Sequence, residues 1–144
     1  MKVTKIFQWD AAHKLTLPYD SPCCNLHGHT YKVEVEVESE DLDSHGLVMD
    51  FSELKTVVQE VAFDHKYIND WMGSPSNFRN PTAENLVLFL KEKLDEIWQK
   101  GWPQISRIRI WETPTSWAEQ SWPRRECPPI GYVTVQASEM HAKT

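Results

Sequence analysis

Three histidines near the start of the chain have the types and spacing of a metal site. His27 and His29 are separated by one glycine within "HGHTY", and on a strand both side chains project to one face. His13 lies on the apolar face of an earlier alternating run, so the three imidazoles meet if the two strands pair. Three histidines with one open position form a catalytic zinc arrangement, and imidazoles favour zinc over magnesium; packing or exposure is the alternative. We assign His45 and His141, in polar surroundings, to solvent.

Two adjacent cysteines stand just before this histidine pair, and their spacing does not match a structural zinc ribbon. A thiol of Cys23 or Cys24, a few residues from a metal, could serve as a base or nucleophile because the cation lowers its pKa. A small buried apolar side chain is the alternative interpretation. Cys127 has no partner chemistry nearby. Three cysteines cannot all pair, which favours a reducing, cytosolic setting.

Length and composition limit the classes of function. A chain of 144 residues fits one domain and can bury a core without disulfides. The net charge of −6 disfavours nucleic acid as the main partner, since phosphate contacts need a basic stripe. No apolar run approaches the ~20 residues of a membrane span, and no signal peptide is visible. An anionic small substrate remains open if its pocket is locally positive.

Apolar residues recur at every second position in two early segments, which predicts two half-buried strands. The apolar face of the first comprises Val3, Phe7, Trp9 and Ala11. The apolar face of the second comprises Tyr31, Val33, Val35 and Val37. The opposite face of the second strand carries a lysine and glutamates, and it meets either solvent or a wet channel in an oligomer. In a later run, Ile108 and Ile110 share a face with Glu112, and "SWAEQSW" predicts a short fourth strand.

Two segments between these strand pairs have helical periodicity. Asp50, with Glu53 three residues on, predicts a capping box for the first helix, and Thr82 is the expected N-cap of the second. Gly101 is the expected C-cap of the second helix. The order β-β-α-α-β-β predicts an α+β domain with an antiparallel sheet that two helices cover on one side. "GYVTVQAS", residues 131–138, is a candidate fifth strand.

Six motifs occur in order between Lys5 and Glu119: "AAH", "CxxxHGHxY", "VMDFSELK", "DHKYIND", "NPTAEN" and "WETPTSWAE". Together they resemble the 6-pyruvoyltetrahydropterin synthase superfamily, and most closely its bacterial 6-carboxy-5,6,7,8-tetrahydropterin synthase branch of queuosine and 7-deazaguanine biosynthesis. The resemblance implies the tunnelling fold (T-fold), in which three ββααββ subunits close a β-barrel and two trimers stack into a hexamer. The charged face would line the tunnel. Residues 1–122 would form the synthase domain and residues 123–144 a C-terminal extension.

The resemblance also assigns site residues. The zinc ligands of the family match His13, His27 and His29. The family's cysteine matches Cys23, whereas Cys24 holds a position that the pattern does not require. The "DHK" motif supplies the catalytic pair Asp64 and His65, which by themselves would be interpreted as a turn residue and a surface residue.

Three further residues match pterin contacts of the family. Glu112 corresponds to the catalytic-site glutamate that anchors the pterin ring, and a carboxylate on an apolar face needs such a partner. Thr82 and Glu84 fall where the family has additional pterin contacts. Helix capping explains Thr82 without any ligand role.

The implied substrate is 7,8-dihydroneopterin triphosphate, which loses triphosphate and acetaldehyde to give 6-carboxytetrahydropterin. Zinc would acidify the side-chain hydroxyls, and Cys23 would move a proton with His65 as its partner and Asp64 orienting His65. Three alternatives are the sister reaction that yields 6-pyruvoyltetrahydropterin, a variant that cleaves dihydroneopterin with a glutamate in place of the cysteine, and a non-catalytic pterin- or purine-binding module with structural zinc. The presence of Cys23 argues against the second.

Overall fold

A four-stranded antiparallel sheet forms the centre of the subunit. The computed structural model describes residues 1–73 and 79–124. The strands follow the order β1-β2-β3-β4 across the sheet, and each pairs antiparallel with its neighbour. Their bounds are Lys2–His13 for β1, His27–Glu38 for β2, Gln104–Thr113 for β3 and Ser116–Ser121 for β4. The predicted α+β class and its four strands are confirmed.

Helices connect the two strand pairs. Their bounds are Phe51–Glu60 for α1, Ile68–Trp71 for α2 and Ala83–Ile97 for α3. Two helices were expected here; α2 escapes sequence analysis because a single turn is too short to show helical periodicity. A short 3₁₀ turn, Pro22–Cys24, lies between β1 and β2.

Both predicted N-caps are confirmed. The Asp50 carboxylate accepts a hydrogen bond from the Ser52 backbone N–H at 2.7 Å, and the Thr82 hydroxyl accepts one from the Asn85 N–H at 3.2 Å. The reciprocal bond that a capping box requires of Glu53 is not formed in the described part of the chain, and this side chain is exposed instead. The N-terminus of α1 therefore has the Asp50 hydrogen bond of a capping box without the Glu53 one.

The prediction of Gly101 as C-cap is wrong. Helix α3 ends at Ile97, and Trp98 already has extended backbone. Trp98 leaves the helix because its indole N–H donates to the Pro103 carbonyl at 2.9 Å and its ring packs against Trp102, with centroids 5.1 Å apart. Gly101 lies in the turn before β3 with a φ of 91°, a conformation that glycine adopts without steric cost.

The helices pack on the apolar face of the sheet and enclose one core. Residues without exposed surface come from both layers and include Tyr31, Val33, Val35, Leu54, Val58, Leu86, Leu90 and Leu94. Burial of each such side chain contributes about 1.5–3 kcal/mol to folding. The core extends along β1 to its last residue, His13, which is itself fully buried. The fold therefore holds one end of the histidine cluster rigidly.

The opposite face of the sheet carries ion pairs in place of a helical layer. Arg107 lies 3.2 Å from a Glu36 carboxylate oxygen, and Arg109 lies 3.4 Å from Glu34 and 3.1 Å from Glu119. These pairs connect neighbouring strands along the predicted charged face. A face with charges matched in this way can meet water or line a wet channel.

Several predictions fall on residues outside the described ranges, namely the fifth strand at 131–138, Cys127 and His141. The start of the proposed extension is described: the Gln104 amide donates to the Pro123 carbonyl at 2.7 Å, and Arg124 pairs with Glu38 at 3.0 Å. The division of the chain at residue 122 stays a prediction. None of the helices within residues 1–73 and 79–124 is both long enough and apolar enough to cross a membrane.

Candidate functional site

The register of β1 against β2 brings the three histidines together. His13 lies opposite His27, and Ala11 lies opposite His29. All three rings therefore project to the apolar face at the same end of the strand pair. Each ring contributes one nitrogen to a group whose members lie within 4.8 Å of one another. The residues predicted to bind a metal thus form one cluster.

Hydrogen bonds to backbone carbonyls fix the tautomers of two of the rings. His13 Nδ1 lies 2.8 Å from the Pro81 carbonyl oxygen, and His27 Nδ1 lies 2.7 Å from the Asn25 carbonyl oxygen. A carbonyl only accepts, so both Nδ1 atoms carry the proton and both Nε2 atoms present lone pairs. These two Nε2 atoms are only 3.0 Å apart. Two lone pairs at that distance repel unless a cation lies beside them.

The third ring, that of His29, also has a nitrogen atom that a metal ion could bind. His29 Nε2 is buried and forms no hydrogen bond with the described residues. The nearest carboxylate oxygen belongs to Glu112, at 3.5 Å. A buried polar atom without a partner is costly, and a bound cation would remove that cost. Three imidazole nitrogens within 4.8 Å of one another fit a zinc ion by donor type.

Burial favours the neutral, metal-binding form of His13 and His29. The pKa values of His13 and His29 lie below the ordinary value for histidine, mainly because burial disfavours the charged imidazolium. The neighbouring Glu112 carboxylate opposes this effect on both rings. The Tyr31 hydroxyl, 3.4 Å from His13 Nδ1, lies beneath the cluster, and burial raises the pKa of this phenol. A metal ion therefore does not have to displace the charged-form proton from His13 or His29 near neutral pH.

Cys23 is held in the 3₁₀ turn by backbone and side-chain bonds. Its N–H donates to the Ser21 hydroxyl at 3.2 Å, and its carbonyl accepts from the Leu15 N–H at 2.8 Å. The thiol is partly exposed. Cys24 occupies the next position, but its sulfur lies 3.9 Å from the Tyr19 carbonyl oxygen.

A cleft of about 410 Å³ collects four of the predicted site residues, namely Cys23, Thr82, Glu84 and Glu112. Cys24 does not line this cleft. Edge strand β4 closes one side of it through residues 116–118. Glu112 connects this cleft with the histidine cluster, because the same carboxylate lies against His29. A thiol, a carboxylate and a metal centre can thus act on one small molecule.

The predicted pair Asp64 and His65 lies elsewhere, along the outer edge of β1. The Asp64 carboxylate accepts from the Asp10 N–H at 2.9 Å and lies 3.0 Å from His65 Nδ1. The His65 N–H donates to the Asp10 carbonyl at 2.7 Å. His65 has a φ of 56°, rare for a residue with a side chain, and its side chain is 80% exposed. Within one subunit, this pair does not line the Cys23 cleft.

Two asparagines that sequence analysis missed hold the loop after β1. The Asn80 side chain accepts from the Thr16 N–H and donates to the Thr16 carbonyl, both at 2.9 Å. The Asn69 side chain makes the same pair of bonds with Lys14, at 3.1 and 2.9 Å. Each side-chain amide forms with the loop backbone the pair of hydrogen bonds that a neighbouring strand would form. Both lie within the matched motifs, "NPTAEN" and "DHKYIND", which is the signal that could have identified them.

The fold and the histidine cluster define an α+β domain suited to bind a metal ion beside a cleft. A sequence model described as 6-pyruvoyl tetrahydropterin synthase matches residues 2–122. The 6-carboxy-5,6,7,8-tetrahydropterin synthase of Haemophilus influenzae is 38% identical, with 82% of this chain and 96% of the relative covered. The chain therefore belongs to the 6-pyruvoyl tetrahydropterin synthase family of enzymes.

Two further relatives show the breadth of the family. The dihydroneopterin monophosphate aldolase of Pyrococcus furiosus is 35% identical, with 85% of this chain and all of the relative covered (100%). The 6-pyruvoyl tetrahydropterin synthase of Caenorhabditis elegans shares the fold with a TM-score of 0.72 at 23% identity, over 85% of this chain and 96% of the other. The sequence-based assignment to the superfamily is confirmed.

Proposed function

We propose that the chain is a zinc-dependent 6-carboxy-5,6,7,8-tetrahydropterin synthase. It converts 7,8-dihydroneopterin triphosphate and one water molecule to 6-carboxytetrahydropterin, acetaldehyde and triphosphate. The observation that carries this proposal is the three-imidazole cluster, joined through Glu112 to the cleft that contains Cys23. The relative from Haemophilus influenzae supports the activity. Use of the product in queuosine or 7-deazaguanine biosynthesis, and a cytoplasmic location, complete the proposal and rest on the motif resemblance and on cysteine usage.

Glu112, Thr82 and Glu84 bind the pterin ring in this proposal. The Glu112 carboxylate faces the cleft and can accept hydrogen bonds from the N–H donors of the amino-pyrimidine edge. The Thr82 hydroxyl already accepts the capping bond from Asn85, so its O–H remains available to donate to the ligand. Glu84, on the first turn of α3, lines the same cleft. These three residues orient the ring so that its side chain points toward the imidazoles.

Cys23, His65 and Asp64 carry the proton transfers. The Cys23 thiolate removes a proton from the side-chain carbon next to the ring, and His65 exchanges a proton as its partner. Asp64 accepts from His65 Nδ1, which orients the imidazole and stabilises its charged form. Such transfers contribute about 10²- to 10⁴-fold each. A zinc ion bound by His13, His27 and His29 supplies Lewis-acid polarisation of the side-chain hydroxyls.

Assembly of several copies brings Cys23 and His65 together in this proposal. The Cys23 cleft borders edge strand β4, whereas Asp64 and His65 lie along β1, the other edge of the sheet. If β1 of one copy pairs with β4 of the next, His65 of one subunit reaches Cys23 of its neighbour. The edge of β4 and the part of the β1 edge before Asp10, which residues 64–67 leave free, are then paired. Three copies would close a barrel with the charged face inside, and two such trimers would stack into a hexamer.

Mixing two inactive variants tests this shared site. We expect Cys23→Ala and His65→Ala to be inactive separately, because each removes one half of every site. Subunits that are mixed, unfolded together and refolded should recover about a quarter of wild-type activity, since random assortment pairs an intact Cys23 with an intact His65 at that frequency. The measurement is the rate of product formation. No recovery from a mixture that forms oligomers would contradict a site shared between subunits.

Product analysis tests the reaction itself. Purified, zinc-loaded protein is incubated with 7,8-dihydroneopterin triphosphate, and the products are identified by mass spectrometry. We expect acetaldehyde, triphosphate and the 6-carboxy pterin. A 6-pyruvoyl product would instead establish the sister reaction. Cleavage of dihydroneopterin or its monophosphate, supplied in parallel incubations, would establish an aldolase, and binding without turnover would establish a non-catalytic module.

A further inference from the structure

Almost every cation on the helix-free face of the sheet is already neutralised. Arg107 and Arg109 are paired with the glutamates of β2 and β4, and Lys2 lies 3.5 Å from Glu36. Lys32, on β2, differs from them. Its side chain forms no ion pair with the described residues, and the residue is exposed. Within residues 1–73 and 79–124, one uncompensated positive charge therefore remains on this face, at the end nearest the histidine cluster.

An aromatic ring holds this lysine in place. Lys32 Nζ lies 4.0 Å from the centroid of the Trp111 ring, its register partner on β3. Trp111 is itself fixed, because its indole N–H donates to Glu34 at 2.9 Å and its ring packs on Trp117 with centroids 4.3 Å apart. A cation over an indole ring gains attraction without losing its charge or its N–H donors. Lys32 is therefore oriented but still able to bind an anion.

A cleft of about 740 Å³ joins Lys32 to the metal-binding end of the sheet. Strands β2 and β3 pair as far as Lys32 and Trp111, and beyond that point they separate. The cleft opens where they separate, and His29 and Glu112 line it together with Lys32. Its volume is within the range of small-molecule sites. One ligand in this cleft can thus contact Glu112 and the His29 imidazole at one end and Lys32 at the other.

We infer that Lys32 binds the triphosphate chain of the substrate, an assignment that rests on the proposed function. The protein has a net charge of −6, and the Glu112 carboxylate adds a negative charge beside the imidazoles. A polyanionic tail is repelled by such surroundings unless a local cation meets it. Lys32 is the free cation in the cleft that contains His29 and Glu112. An ammonium donates charge-assisted hydrogen bonds to phosphate oxygens.

Ligand binding without turnover tests this role. The dissociation constants of neopterin triphosphate and neopterin, the oxidised pterins, are measured by fluorescence titration of the zinc-loaded protein. We expect Lys32→Gln to weaken binding of neopterin triphosphate about tenfold, the factor of one charge-assisted hydrogen bond. Binding of neopterin should not change. Lys32→Arg should retain most of the affinity because it keeps the charge.

Lys55→Gln is the matched control, since Lys55 is an exposed lysine on α1 that forms no ion pair with the described residues. It should leave both constants unchanged. Equal affinity of wild type and Lys32→Gln for neopterin triphosphate would overturn the inference, as would equal weakening for both pterins or no binding to wild type. The proposed function fails separately, if wild type binds neopterin triphosphate but does not convert the reduced substrate.

Discussion

We expect Cys23→Ala to lower kcat for 7,8-dihydroneopterin triphosphate by about 10²- to 10⁴-fold while zinc stays bound, because the variant removes the proposed proton carrier and none of the imidazoles. Cys23 lines the same cleft as Glu112, so in the proposed binding mode its thiol can reach a pterin held by Glu112. The rate is measured under saturating substrate, and zinc content is measured on the same sample.

Cys24→Ala is the matched control, because Cys24 directly follows Cys23 in the sequence. Both cysteines belong to one 3₁₀ turn and both are partly exposed, but Cys24 is directed toward the Tyr19 carbonyl and does not line the cleft. Its replacement should leave kcat close to the wild-type value. If Cys23→Ala kept wild-type turnover, or if Cys24→Ala lost as much, the assignment of the proton carrier would be wrong.

The histidine cluster could be predicted from sequence because short-range rules determine it. Strict alternation fixes which face of a strand His27 and His29 occupy, and it places His13 on the matching face of the adjacent strand. Pairing of consecutive strands then brings the three together. The tautomers could not be predicted, since His13 is oriented by the carbonyl of Pro81, which is 68 positions away in the chain.

The remaining parts of the site depend on contacts that no periodicity encodes. His65 combines a positive φ with a backbone hydrogen bond to Asp10, and the loop after β1 depends on the side chains of Asn69 and Asn80. The same limitation explains Gly101, whose expected capping role was overridden by the packing of Trp98. Motif resemblance identified these segments, but it did not give their conformations.

Removal of one imidazole should release the metal. Zinc sites with four protein ligands bind with about 10–16 kcal/mol, or roughly 3 kcal/mol per ligand, so loss of one ligand lowers affinity by about 10²-fold or more. His27→Ala is the variant of choice, because His27 is partly exposed whereas His13 is fully buried and its loss would damage the core. We expect its zinc content to fall close to zero after dialysis against a competing chelator, and turnover to disappear.

His45→Ala supplies the comparison, since His45 lies in an exposed loop, where its ring lies 3.4 Å from the Ser44 hydroxyl. It should keep wild-type zinc content. Zinc should also raise the Tm of wild type and of His45→Ala, because a ligand that binds only the folded state stabilises it, and it should raise the Tm of His27→Ala much less. A His27→Ala protein that kept both its zinc and its zinc-dependent Tm shift would show that the three imidazoles are not the metal centre.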